Sequence, residues 1–261
     1  MVDDLCTMDS ILFRHCYACG ATEKKTVAAS HDYKEGYCSR CDKRDSRYPF
    51  VWIDFKDALF EAYVKQALGL PAEEKVATLD MTKLTEFTIE KRVNDVEELK
   101  YATNLKSITI EASNVQNLDV LTKLPITKVS LGCYGGITEI DVSFMKSLKD
   151  VKSVQFYDCK LVGGRMEDVV SSPKLTNYKC RISHMKKEST GNIDYLSKAT
   201  NVESLELWND FEQDTNLSVL QTLTKLKSLE LHDTNYNEDF SQQQYAVLDE
   251  LTINGVVIEC D

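Results

Sequence analysis

One six-residue pattern, apolar–x–x–apolar–x–apolar, recurs eight times between residues 84 and 253. Its copies are Leu84/Phe87/Ile89, Leu105/Ile108/Ile110, Ile126/Val129/Leu131, Val151/Val154/Phe156, Leu175/Tyr178/Cys180, Val202/Leu205/Leu207, Leu226/Leu229/Leu231 and Leu248/Leu251/Ile253. Successive starts lie 21, 21, 25, 24, 27, 24 and 22 residues apart. A recurrence of this length is the sequence mark of a leucine-rich repeat solenoid. The last two apolar residues of each copy are two apart, so they leave a strand on one face while the residue between them leaves it on the other. A strand this short cannot bury its apolar row alone. Copies must therefore stack into a curved parallel sheet of about eight strands, an α/β architecture.

The chain returning from each strand carries apolar residues at three-residue spacing, such as Val115, Leu118, Leu121 and Leu124, or Leu217, Leu220 and Leu223. That spacing predicts 3₁₀ turns or short helices on the outer side. Three residues beyond each strand, the repeat places Asn or Cys to satisfy loop backbone; here Ser113, Cys159, Ser183, Asp210 and Thr234 stand there. The wider spacing in the middle coincides with Gly163-Gly164 and with an acidic run over 210–214, which predict longer convex or edge loops. At the far end Asn254-Gly255 lies between two β-prone triplets. The pair predicts a hairpin that turns the last strand back and shields the sheet edge.

The residues alternating with the buried ones line the inner strand face, and aligning the copies lets them be read as columns. The middle column runs Thr88, Thr109, Ser130, Gln155, Lys179, Glu206, Glu230, Thr252. The column after the last apolar residue runs Glu90, Glu111, Gly132, Tyr157, Arg181, Trp208, His232, Asn254. Tyr, Trp and Arg dominate binding energy at interfaces because they bury large area at low entropic cost. Tyr157, Arg181, Trp208 and His232, with Lys179, Glu206 and Glu230 beside them, are therefore the candidate partner-binding residues. The same rings can instead serve cross-strand packing on a solvated face.

From residue 77 to 131 the chain contains ATLDMTKLTEF, VNDVEELKYATNLKSITI and NVQNLDVLTKLPITKVSL. This stretch resembles the internalin-type leucine-rich repeat regions of Gram-positive bacteria, and the resemblance extends more loosely over 50–253. It implies a helical N-terminal cap over 49–83 and a recognition scaffold over 84–261. Phe55, Leu59, Phe60, Tyr63, Val64, Ala67 and Leu68 fall at helical spacing within that cap. Asp54 is the candidate N-cap, and Gly69 and Pro71 end the helix.

Ahead of the cap, over 1–48, Cys16-x-x-Cys19 is followed after eighteen residues by Cys38-x-x-Cys41. Two short-spaced pairs suit a tetrahedral zinc site, and a segment this small has too little core to fold without a staple. Two disulfides remain the alternative for a secreted, metal-free chain, and a redox-active pair is a third. The opening Cys16-Tyr-Ala-Cys19-Gly20-Ala-Thr and the close His31-Asp-Tyr33-Lys-Glu-Gly36-Tyr-Cys38-Ser-Arg-Cys41 resemble small four-cysteine modules of surface proteins from Gram-positive gut bacteria. Asp42 stands where those modules often have Gly. His31 is a substitute ligand or, as the reading preferred here, a surface histidine; His15 is equally ambiguous. Cys6, Cys133, Cys159, Cys180 and Cys260 are dispersed and are given no nucleophilic role.

Formal charge is −11 over 261 residues. Residues 1–48 hold eight basic and eight acidic side chains, so the repeats carry all of the excess. An acidic solenoid repels phosphate backbones, which argues against a nucleic-acid partner, zinc-ribbon binding included. No apolar run approaches the roughly 20 residues of a membrane span. The opening MVDDLCTMDSILF does not read as a secretory signal. The resemblances imply a surface or secreted protein, whereas the chain taken as complete would stay in the cytoplasm. Motifs for a serine nucleophile elbow, a phosphate loop or a zinc protease helix are absent from the sequence. Gly132-Cys133-Tyr134-Gly135-Gly136 suggests a nucleophile turn only superficially, and a hydrolase or thiol enzyme is the minor alternative. The expected function is non-catalytic recognition of a protein, or a glycan, with structural zinc at the N-terminus.

Overall fold

The computed structural model describes residues 6, 8–89, 93–111, 115–132, 138–157, 159–181, 193–209, 215–233 and 240–260. The chain divides into two units, Met1–Val51 and Trp52–Asp261. In the first, β1 (Ser10–His15) and β2 (Thr22–Val27) form an antiparallel hairpin with Cys16–Cys19 in its turn. A shorter hairpin, β3 (Tyr33–Lys34) with β4 (Tyr37–Cys38), turns at Glu35 and Gly36, both at positive φ. Gly36 is doubly constrained: φ is 90°, and a Cβ there would lie 2.9 Å from the Tyr48 ring. Tyr48 packs on Phe50 and Phe50 on Tyr37, with ring centroids 5.0 and 5.5 Å apart.

The second unit opens with α1 (Ala58–Leu68), whose Phe60 and Val64 are fully buried. Its N-cap is Asp57 rather than Asp54. The Asp57 carboxylate accepts from the amides of Leu59 (2.8 Å) and Phe60 (3.1 Å), and its second oxygen accepts from Asn94 N–H (2.7 Å). Periodicity located the helix but could not choose between two aspartates three residues apart. Gly69, left-handed at φ 65°, closes it as expected.

After α2 (Thr78–Met81) come the repeat strands β5 (Glu86–Ile89), β6 (Ser107–Ile110) and β7 (Lys128–Gly132). Following them are β8 (Thr138–Asp141), β9 (Ser153–Tyr157), β10 (Cys159–Val162), α3 (Met166–Val170) and β11 (Asn177–Arg181). The chain ends with β12 (Ser204–Asn209), β13 (Ser228–Asp233), α4 (Gln242–Ile253) and β14 (Val257–Cys260). Eight of these strands form one parallel sheet in the order β14-β13-β12-β11-β9-β7-β6-β5. The apolar rows align: Phe87, Ile108, Val129, Val154, Tyr178, Leu205, Leu229 and Ile258 sit in one register. All but Ile258 are buried. Ahead of each strand a backbone bond ties repeat to repeat, from Lys106 N–H to Thr85 carbonyl through Lys152 to Thr127 and on to Val257 to Lys227. The returning segments carry 3₁₀ turns, among them Leu118–Lys123 and Leu217–Thr222, or short helices such as α3, as the three-residue spacing predicted.

Two expectations need correction. The eighth hexamer is not a strand: Leu248, Leu251 and Ile253 lie in α4, where Gln244, Val247, Leu248 and Leu251 make the buried face. Spacings of three and five occur on helices as well as in the repeat, and here helical packing wins. Ser241 and Gln244 form a capping box at the start of α4, and at its end Val256 N–H bonds to Leu251 carbonyl across Gly255 at φ 89°. Asn254-Gly255 is therefore a helix terminator instead of a hairpin turn, and β14 runs parallel to β13. Glu259 replaces Thr252 in the middle column, and Asn254 leaves the second. The widened central spacing accommodates a second, two-stranded parallel sheet of β8 and β10, closed at Gly163, where any Cβ would meet the Asp141 carboxylate. The acidic run 210–214, and the loop positions Ser113, Ser183, Asp210 and Thr234, lie outside the described residues, as does the side chain of Cys159.

Candidate functional site

Parallel pairing without slippage carries one column of side chains across neighbouring strands. Gly132 pairs with Tyr157, Tyr157 with Arg181, Arg181 with Trp208, and Trp208 with His232. On this ladder the Trp208 and His232 rings stack at 4.0 Å between centroids and 21° between planes. The Arg181 guanidinium lies 4.9 Å over Trp208, and Lys179 Nζ lies 5.7 Å over Tyr157. Because β11 and β13 flank β12, the guanidinium and the imidazole reach the indole from the neighbouring strands on either side. Polar partners fix the same groups: Trp208 Nε1 donates to Glu206 Oε1 at 2.8 Å, and Tyr157 donates to Gln155 Oε1 at 3.2 Å. Lys179 pairs with Glu206, and His232 Nε2 lies 3.8 Å from carboxylate oxygens of both Glu206 and Glu230. Burial pushes the Glu206 carboxyl up, but hydrogen bonds from Lys179 and Trp208 outweigh it and hold the group below its usual range. Gly132, one strand earlier, has a packing role: a Cβ there would stand 2.8 Å from that of Tyr157. The face thus holds aromatic and charged groups in fixed, half-buried positions, as a preorganised contact surface requires.

A second constellation lies in the N-terminal unit. Ligand atoms of Cys6, His31, Cys38 and Cys41 all fall within 4.8 Å of one another. Cys6 and Cys38 sulfurs are 3.5 Å apart, and Cys41 sulfur is 3.3 Å from His31 Nδ1. Ligands about 2.0–2.3 Å from a tetrahedral zinc are separated by roughly 3.5–3.8 Å, and three thiols with one imidazole are a common structural set. The donors fit a metal of that kind. Cys38 begins a tight knuckle: its N–H bonds to Lys43 carbonyl (2.9 Å), and Asp42 N–H bonds back to Cys38 carbonyl (3.0 Å). Asp42 takes the left-handed conformation at φ 62°, so it fulfils the turn that Gly more often makes. Burial raises the Cys38 thiol, yet amides of Arg40 and Cys41 and the His31 ring overcome this and bring it down to about 5. Burial beside Cys41 and Cys38 pushes Cys6 up to about 12. Asp32 braces the ligand loop, accepting from Ser39 Oγ at 2.8 Å.

The four cysteines expected as one ligand set are not brought together. Cys38 and Cys41 enter the cluster; Cys16 and Cys19 stand exposed at the tip of the β1–β2 hairpin. Their places are taken by Cys6 and His31. Neither belongs to a short Cys pair: spacing passes over Cys6, whereas His31, offered by the sequence as a substitute ligand but read by preference as a surface residue, lies part-buried in the cluster. Cys180, buried between strands with its thiol pushed up to about 12 by burial, is a core residue. Cys133 and the rest of the imagined nucleophile turn beyond Gly132 lie outside the described residues.

An internalin C2 from Listeria monocytogenes superposes with a TM-score of 0.52 at 15% identity, covering 79% of this chain and 94% of that one. The chain has a leucine-rich repeat fold. Two other L. monocytogenes structures, an internalin (inlF) at TM-score 0.27 and the functional domain of InlJ at 0.21, share 12% and 13% identity with it. They cover 78% and 68% of this chain, and 88% and 55% of theirs. No protein-family model and no curated protein matches the sequence. At such identity the likeness establishes the fold alone. Among the described residues, no helix is long and apolar enough to cross a membrane.

Proposed function

We propose that the repeat unit is a non-catalytic protein-recognition module that grips its partner through Tyr157, Arg181, Trp208 and His232, with Lys179, Glu206 and Glu230 setting orientation. The observation that carries this is the Arg181–Trp208–His232 stack on three adjacent strands, with Tyr157 in register on the fourth beneath Lys179, and with Trp208 and Tyr157 each held by an internal hydrogen bond before any partner arrives. Such anchors lose little entropy on binding, and truncating a single hot-spot residue of this type to alanine costs about 2 kcal/mol or more. Protein is favoured over glycan because a sugar stacks on a bare indole, whereas Trp208 already carries the Arg181 guanidinium and the stacked His232 ring. Zn²⁺ in the Cys6/His31/Cys38/Cys41 cluster acts in the same reading as a structural staple for the N-terminal unit.

The test is a selection from a displayed peptide and protein-domain library, run in parallel on the native chain and on Tyr157→Ala/Trp208→Ala. Ligands enriched by the native chain should lose about 30-fold or more in affinity on the variant. Circular dichroism and melting should show its fold intact. Ligands that bind both chains equally would remove the ladder from consideration, and enrichment on a glycan array alone would favour sugar instead.

A further inference from the structure

The Cys16–Cys19 turn repeats the Cys38–Cys41 knuckle bond for bond. Cys16 N–H reaches Ala21 carbonyl at 2.8 Å, as Cys38 N–H reaches Lys43; Gly20 N–H returns to Cys16 carbonyl at 2.8 Å, as Asp42 returns to Cys38. Gly20 is left-handed at φ 71°, matching Asp42 at 62°. In each, the amides two and three residues on point at the first sulfur: Ala18 and Cys19 toward Cys16, Arg40 and Cys41 toward Cys38. At the second knuckle this geometry is completed by two further ligands. At the first, two sulfurs are presented with no further ligand beside them among the described residues. Among the described residues, neither Cys16 nor Cys19 belongs to a metal-capable group of three or more. His15, the adjacent imidazole, is engaged with Thr22 and Tyr17.

We infer that Cys16 and Cys19 are half of a tetrahedral thiolate site for Zn²⁺ that a second copy of this chain completes, so that metal clamps two hairpins side by side at their turns. Tetrahedral four-sulfur coordination is compatible with a two-fold axis through the metal, which makes an identical pair of thiolates a geometrically sufficient complement. An independent feature of the same element points to the same occupant. The hairpin leaves Ile11, Leu12, Phe13 and Tyr17 48, 55, 66 and 97% exposed, with apolar side chains on both faces of a two-stranded ribbon. A lone hairpin of this kind is marginally stable in water. A symmetry-related hairpin brought alongside by the shared metal would cover these side chains. The inference does not depend on the repeat ladder, and it uses the internal cluster only as a geometric template.

The experiment takes the full chain, reduced and stripped by chelator, and adds Zn²⁺ while mass is followed by light scattering and metal by elemental analysis. The expected result is a dimer holding about three zinc ions per two chains. Cys16→Ser/Cys19→Ser should be a monomer with about one zinc per chain, and Cys16→His/Cys19→His should recover the dimer, since imidazole also ligates zinc. A native dimer with one zinc per two chains would support the shared site while removing the internal one. The inference is overturned if the serine variant still dimerises. It is equally overturned if the native chain stays monomeric with a single zinc that the serine variant loses, which would join both knuckles in one chain. A Cys16–Cys19 disulfide in the native protein, found by thiol counting before reduction, would also overturn it.

Discussion

Glu97 lies between the ammonium groups of Lys56 and Lys100, and their hydrogen bonds bring its carboxyl from 4.5 down to about 2. Lys56 precedes α1 and Glu97 opens the first repeat's 3₁₀ turn, so this pair ties cap to repeat. A carboxyl depressed on folding stabilises the native state fully above its unfolded value and loses that contribution as pH falls from 4.5 toward 2. Glu97→Gln should therefore melt lower than the native chain at pH 6, with the gap closing as pH drops to about 2. A gap that stays constant across that window would remove the ionised pair as its cause. Sequence pattern is blind to this residue, because Lys56 and Glu97 are 41 positions apart. It was not blind to Tyr157, Arg181, Trp208 and His232: strand side chains alternate with period two, so a correct hexamer alignment delivers the column directly. Cys6 was illegible for the same reason as Glu97, and His31 was legible only as an alternative, since their proximity to Cys38 and Cys41 comes from loop closure and leaves no local period.

At the scale of elements, seven of the eight hexamers are strands, and the exception shows where the pattern loses its meaning. Leu248 and Leu251 suit either structure, being three apart. Ile253 discriminates, because a strand would bury it, yet it is 84% exposed on α4. Ile253→Asp is accordingly expected to change stability by no more than about 0.5 kcal/mol, as exposed substitutions do. Leu251→Ala should cost about 2–5 kcal/mol, as loss of a buried leucine does. Denaturant melts of the two variants decide it, and a severe loss in Ile253→Asp would restore the strand. The Asn-Gly pair misled in the same way. Left-handed glycine ends helices as readily as it turns hairpins, and what separates the two is the capping box thirteen residues upstream at Ser241, which marks a helix start.

For the whole molecule, the two units differ in what holds them. Trp52–Asp261 has a continuous core from Phe60 to Val256, in which each buried Leu, Ile, Val or Phe contributes about 1.5–3 kcal/mol. Met1–Val51 buries few side chains: among its described apolar residues only Cys6 and Cys38 are below a tenth exposed, and both are candidate ligands. Metal binding in such a unit is coupled to folding, because the unfolded chain holds no preformed site. Chelation is therefore expected to abolish amide protection over residues 8–51 while protection of the repeat strands persists. Hydrogen exchange read by peptide before and after chelator measures both at once. Cys38→Ser should reproduce the chelated pattern without chelator. If residues 8–51 keep their protection in both cases, the aromatic cluster of Tyr37, Tyr48 and Phe50 suffices as a core and the metal is dispensable. Loss of protection in the repeats as well would mean that the solenoid draws stability from the N-terminal unit, and the staple would then act on the whole chain.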